Sequence, residues 1–191
     1  AAKEGILWLL DSFKVSSSIE AKEAALQELK TLAKKERYEF WHMNFSQIIC
    51  VLLEAFREDY LSGGNSSRGQ GSDGNPLLPA PPGYAMTSTV YGEVPRDSEG
   101  FILESSGLSK HLAIVCKALM VLIKYQPQFL HSFLDLLITR LLQSASFLPV
   151  NLTLMCEHLL IELIPQQPLR CLNLIIPFTT DTNSLDKKSS S

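Results

Sequence analysis

Basic charge is scarce in this chain: 17 lysines and arginines stand against 20 aspartates and glutamates, a net charge of −3 over 191 residues. A surface that binds nucleic acid through its phosphates needs a clustered positive excess, so no nucleic-acid partner is expected. Long apolar runs are missing too. The longest, 112–123, is interrupted by Lys117 and falls short of the roughly 20 residues that cross a bilayer, so no membrane insertion is expected. The first residues hold Trp8 and two leucines with no basic stretch before them and no small-residue cleavage site after them; they read as a helix and not as a signal peptide. Cysteines 50, 116, 156 and 171 lack zinc-site spacing, and each lies in an apolar run, the pattern of reduced, buried thiols in a cytoplasmic protein. Histidines 42, 111, 131 and 158 never fall three or four residues apart, and no nucleophile in a glycine elbow accompanies them. No catalytic residue, metal or cofactor is therefore assigned, and the chain reads as non-enzymatic. Glu157 and Glu162 read as the solvated face of one helix.

What is present is a core. Hydrophobic residues make up 46% and charged residues 19%, the balance of a folded domain. Nine of the ten glycines and five of the ten prolines lie within 62–107, where backbone entropy and missing donors prevent helix nucleation. On both sides apolar residues recur at three and four: Leu26, Leu29 and Ala33; Trp41, Phe45, Ile48 and Leu52; Leu108, Leu112, Val115 and Leu119. Helices are expected over 4–13, 19–37, 40–59, 108–125, 128–143, 149–164 and 169–178, the second opened by a capping box of Ser17 and Glu20. Of the sequons at Asn44, Asn65 and Asn151, two fall within these apolar helical stretches, where a glycan has no room.

Self-similarity orders the helices. Leu122-Ile123-x-x-Gln126-Pro127 recurs as Leu163-Ile164-x-x-Gln167-Pro168, an offset of 41 residues that belongs to HEAT-type helix pairs. The spacing of Trp41, Phe45, Ile48, Ile49 and Leu53 recurs in Phe129, Phe133, Leu136, Leu137 and Leu141 at an offset of 88, one period plus 47. The surplus matches the glycine-rich segment, which therefore sits inside one hairpin. The expected fold is an all-α solenoid of HEAT/TOG-type hairpins, about three and a half repeats. It divides into a first hairpin and the next helix (1–61), a disordered insertion (62–107), the remaining solenoid (108–178) and a disordered tail (179–191). The last helix opens a pair that is never closed, so the chain reads as part of a longer array with apolar surface uncovered.

The stretch 23–58, EAALQELKTLAKKERYEFWHMNFSQIICVLLEAFRE, resembles the C-terminal TOG-like domain of CLASP-family microtubule plus-end proteins: a charged helix, a short turn, Trp41, then Phe45 and a leucine-rich helix. The resemblance continues in HLAIVCKALMVLIKYQPQFLHSFLDLLITRLL and in PLRCLNLIIPFTT, about two thirds of the chain. It implies a cytoplasmic protein of growing microtubule ends, spindle and kinetochores. It also implies a domain that docks cytoplasmic linker proteins and kinetochore motors to regulate microtubule dynamics and cell division. The chain departs from the family in its repeat number, since TOG domains typically run to six, and in its long loop. A generic HEAT scaffold of the transport or phosphatase type is the rival reading.

Tubulin-binding TOG domains present a tryptophan in the first intra-hairpin turn and basic residues in those that follow, which suits an acidic partner. Here the first turn, 14–18, has no tryptophan; the insertion has two arginines against five acidic residues; the third turn, 143–148, has no charge. Free tubulin is not an expected partner of this domain alone, and Trp41, at helical spacing with Phe45, is read as core. Within the insertion, Pro81, Pro82 and Tyr84 fit the proline-proline-x-tyrosine pattern of WW-domain ligands, and Pro76 and Pro79 add a proline-x-x-proline. These give a WW-docking adaptor as a further alternative, against ordinary linker chemistry.

Overall fold

A computed structural model describes residues 2–57, 61 and 94–185, with side chains from residue 5 to residue 177 of these. Seven α-helices are present among them: α1 (Ala2–Ser12), α2 (Ile19–Lys35), α3 (Tyr38–Glu54), α4 (Gly107–Tyr125), α5 (Leu134–Ser144), α6 (Val150–Leu163) and α7 (Pro168–Leu185). No strand occurs among the described residues, only an isolated bridge between Arg96 and Ile102. No described helix is long and apolar enough to cross a membrane.

The helices form two rows. In one, α1 packs on α3 and α5 on α7; in the other, α2 packs on α4 and α4 on α6. The rows meet where α1 touches α2 and α3 touches α4, an arrangement compatible with an α-solenoid. Helix α4 explains the centre: twelve of its nineteen residues are buried, so it is apolar nearly all round and needs neighbours on every side. By contrast α2 buries only Lys22, Ala25, Leu26, Leu29 and Ala33, one stripe at helical spacing, with its other charged residues outside that stripe. Aromatic rings carry the first row across the middle. Phe45 stacks on Phe129 at 5.6 Å and meets Phe133 at 6.0 Å, while the Arg140 guanidinium of α5 donates to the Leu53 carbonyl at the end of α3 at 2.6 Å.

Glutamines tie the second row. The Gln126 amide donates to the Ala33 carbonyl in the last turn of α2, and the Gln166 amide to the Ile123 carbonyl in the last turn of α4. Each satisfies an acceptor that a helix C-terminus otherwise leaves unpaired. The sequence repeat pairs Gln126 with Gln167; the bonds pair it with Gln166, because a 3-10 turn at Ile164–Gln166 advances the chain by one position, and Gln167 instead contacts His131.

Several boundaries differ from expectation. Helix α2 is capped by Ser18, whose hydroxyl accepts the Ala21 N–H at 3.2 Å, and not by Ser17, whose hydroxyl donates to the Asp11 carbonyl at 2.6 Å. Helix α5 begins at Leu134, not 128: Pro127 starts two consecutive 3-10 turns, which place Phe129 and Phe133 half-buried before the helix instead of on it. The segment expected to be disordered to 107 is packed from 94 onward. Ile102 is 1% exposed and donates its N–H to the Phe147 carbonyl at 2.9 Å, and Leu61 is buried as well. A turn at 97–100 makes this possible: the Asp97 carboxylate accepts the N–H of Glu99 and of Phe101, and Gly100 supplies the positive φ of 91° that closes it. Residues 62–93 lie outside the described residues. Helix α7 runs through Pro177 to Leu185, seven residues past the expected end, because polar residues extend an established helix at little cost. Cys50 is exposed, unlike the buried Cys116, Cys156 and Cys171; all four thiols are free. Asn44 is half-buried with its amide on the Phe40 carbonyl, and Asn151 is exposed at the start of α6, so helical position did not imply burial there.

Candidate protein-interaction surface

The segments that precede α2, α4 and α6 adjoin one another and line two concavities. These three segments form one edge: the α1–α2 turn, the 94–106 segment before α4, and the α5–α6 turn. The last two are joined by the Ile102–Phe147 backbone bond and by a bond from the Asn151 amide to the Glu104 carboxylate, and the first two line a common concavity.

Among the described cations of this edge, Lys14, Lys22 and Arg96 are turned inward or paired, while Lys110 in the first turn of α4 is exposed. Lys14 pairs with Asp11 at 2.8 Å. Arg96 donates to the carbonyls of Leu61 and Gly100 and lies over the Phe147 ring at 6.0 Å. Lys22 is 2% exposed and donates to the Val15 carbonyl at 2.9 Å.

The carboxylates face out. Asp97, Glu99, Glu104 and Glu157 line a cleft of about 610 Å³ between the 97–104 turn and the start of α6. Its floor and rim are apolar, from Phe101, Ile102 and Leu148 to the exposed Leu103, Val150 and Leu154. No lysine or arginine lines it. Negative charge around apolar side chains suits a segment that brings basic residues on either side of an apolar anchor, and repels an acidic surface. The sequence reading missed this cleft because 97–104 was assigned to disorder; the Asp97-to-Gly100 turn signal was the clue.

The remaining expected residues are scattered. Trp41 is 1% exposed, edge-on to Phe40 at 5.2 Å and to Phe45 at 6.4 Å, as core packing requires. Glu157 and Glu162 are both exposed. His42 stacks on Tyr38 at 5.6 Å, His131 and His158 are exposed, and His111 is buried with neither ring nitrogen bonded. Burial first, and Lys22 second, hold the His111 pKa down to about 3. No group of three or more metal-ligating side chains exists among the described residues. Pro81, Pro82 and Tyr84 lie outside the described residues. At the end of the stack, α7 leaves Leu169, Leu172 and Ile176 exposed. Comparison with protein-family models, curated proteins and solved structures found no match for this chain.

Proposed function

We propose that the chain is a non-enzymatic protein-interaction module of the CLASP type. In this reading it is a HEAT/TOG-type solenoid that docks cytoplasmic linker proteins or kinetochore motors at microtubule ends and spindle. The observation that supports this reading is the acidic, apolar-floored cleft on the turn edge, lined by Asp97, Glu99, Glu104 and Glu157 with no basic residue. A rigid stack presents such a surface without reorganising, so little ordering entropy opposes binding. The same charge argues against tubulin, whose acidic surface would meet carboxylates where tubulin-binding edges offer cations.

The occupant is a basic segment with an apolar anchor, supplied by the linker protein or motor. Pull-down of linker-protein and kinetochore-motor fragments by the whole chain, compared with the Glu99→Lys/Glu157→Lys double variant, tests this. Both residues are exposed, so the variant should fold as the parent does while losing tenfold or more in affinity. Failure of the parent to retain any such fragment would leave the generic scaffold as the better reading; retention unchanged by charge reversal would move the docking surface away from the cleft.

A further inference from the structure

Helix α4 is covered on every side but one. Its exposed residues are Gly107, Lys110, Lys117, Lys124 and Tyr125, with Ala113 and Met120 half-buried between the lysines. A step of seven residues is close to two full turns, so the three lysines stand in one file, about 10 Å apart and about 21 Å from end to end. Packing explains why only a file is left: α2, α3 and α6 all lie against α4 and leave a narrow strip open.

An open strip needs polar residues, but not residues of one sign. Helix α4 contains no aspartate or glutamate, and among the described residues none of its three ammonium groups forms an ion pair or a hydrogen bond. The flanking helices do carry exposed carboxylates, Glu20, Glu23 and Glu28 on α2 and Glu157 and Glu162 on α6, yet none of them pairs with the file. A fourth cation joins at the far end: the Lys34 ammonium lies 5.9 Å from the centre of the Tyr125 ring, and the Lys124 ammonium 6.0 Å from the same ring. The negative ends of α2 and α4 account for cations there. They do not account for Lys110, which stands in the first turn of α4, where the helix dipole opposes a positive charge.

We propose that this file is a docking strip for an acidic α-helix of a partner protein, one whose carboxylates recur every seven residues. A helix laid along α4 has the same rise per residue, so three such carboxylates meet Lys110, Lys117 and Lys124 in register, as opposite charges do along the flanks of a coiled coil. Ala113 and Met120 supply shallow apolar contact between the pairs. Nucleic acid fits less well, because a few cations on a chain of net charge −3 neutralise few phosphates. The strip shares no residue with the acidic cleft, and it stands or falls independently of the CLASP-type reading.

The test uses the whole chain and two synthetic helical peptides of about 21 residues and one composition, glutamates in an alanine–glutamine host. One peptide carries its glutamates seven apart on a single face; the other spreads them around the helix. In an amide-resolved NMR titration the aligned peptide should give saturable shifts at Lys110, Lys117 and Lys124. It should bind about tenfold tighter than the permuted one, and weaken as sodium chloride is raised. The triple variant Lys110→Gln/Lys117→Gln/Lys124→Gln alters only exposed side chains and should lose the binding; Lys14→Gln, which removes an exposed lysine paired with Asp11, should keep it. Equal binding of the two peptides, absence of saturation, full retention by the triple variant, or tighter binding of a DNA duplex or a phosphatidylserine vesicle would each overturn the strip. If the triple variant does not fold, the comparison of the two peptides on the parent decides.

Discussion

Acidification should weaken this fold through one side chain. His111 lies on α4 at 1% exposure with both ring nitrogens unbonded, and burial, reinforced by the charge of Lys22 on the facing α2, lowers its pKa from 6.5 to about 3. The folded state therefore holds a neutral imidazole that the unfolded chain protonates below pH 6.5. Stability is fully present above that pH and is lost as the pH falls toward 3. Between pH 6.5 and 5 the loss works out at about 2 kcal/mol, from 1.36 kcal/mol per unit. Urea unfolding of the parent and of His111→Leu at pH 7.5 and 5.0 measures it. The exposed histidines 42, 131 and 158 are common to both proteins, so their contributions cancel in the difference. At pH 7.5 the leucine should be tolerated, since it removes two unpartnered polar atoms from the core. At pH 5.0 the variant should have gained about 2 kcal/mol relative to the parent, with an unchanged dependence on urea. Parallel pH profiles for the two proteins would refute the argument, because no buried, uncharged histidine would then be linked to folding.

Three other outcomes follow from the packing and the edge charge. Phe45→Ala should cost about 3–5 kcal/mol in urea unfolding, and Phe133→Ala clearly less, because Phe45 is 2% exposed whereas Phe133 is only half-buried. Ile102→Ala should cost about 2–5 kcal/mol by the same assay; a neutral result would return the 94–106 segment to the status of a loop. Free tubulin at micromolar concentration should not co-elute with the chain on sizing at low salt, where any electrostatic attraction would be strongest.

Much of the fold was legible because periodicity survives wherever a helix buries one stripe. All seven helices lie where apolar residues recur at three and four, and Trp41 and Phe45 are core as that spacing requires. What composition could not resolve was structure without a repeat. The segment 94–106 inherited its expected disorder from the glycines and prolines before it, although its own residues include Ile102, which the core holds at 1% exposure, and a four-residue turn that Asp97 and Gly100 close. The start of α5 was misplaced for a related reason: Phe129 and Phe133 keep the four-residue spacing of a helix while standing in successive 3-10 turns, and spacing of a few residues cannot distinguish the two. The glutamine repeat was visible, yet one residue out of register, since only the bonds to Ala33 and Ile123 reveal which amide points back along the row.

The candidate edge was less legible because nothing in it is contiguous. The cleft draws its carboxylates from the 97–104 turn and from Glu157 in the middle of α6, more than fifty residues apart, and its apolar floor from both that turn and the α5–α6 turn. Its character follows from an imbalance that the sequence did record: two arginines against five acids in 62–107. Counting charges gave the sign, but only folding decides which of them face solvent. Arg96 shows the difference. Read as sequence, it is one of the two basic residues of 62–107. In the fold its guanidinium closes the turn on the Gly100 carbonyl and reaches the Leu61 carbonyl, where it anchors the insertion's two ends to each other instead of presenting charge outward. With that cation held by the structure, Asp97, Glu99, Glu104 and Glu157 set the sign of the potential in the cleft, which favours positive charge over negative.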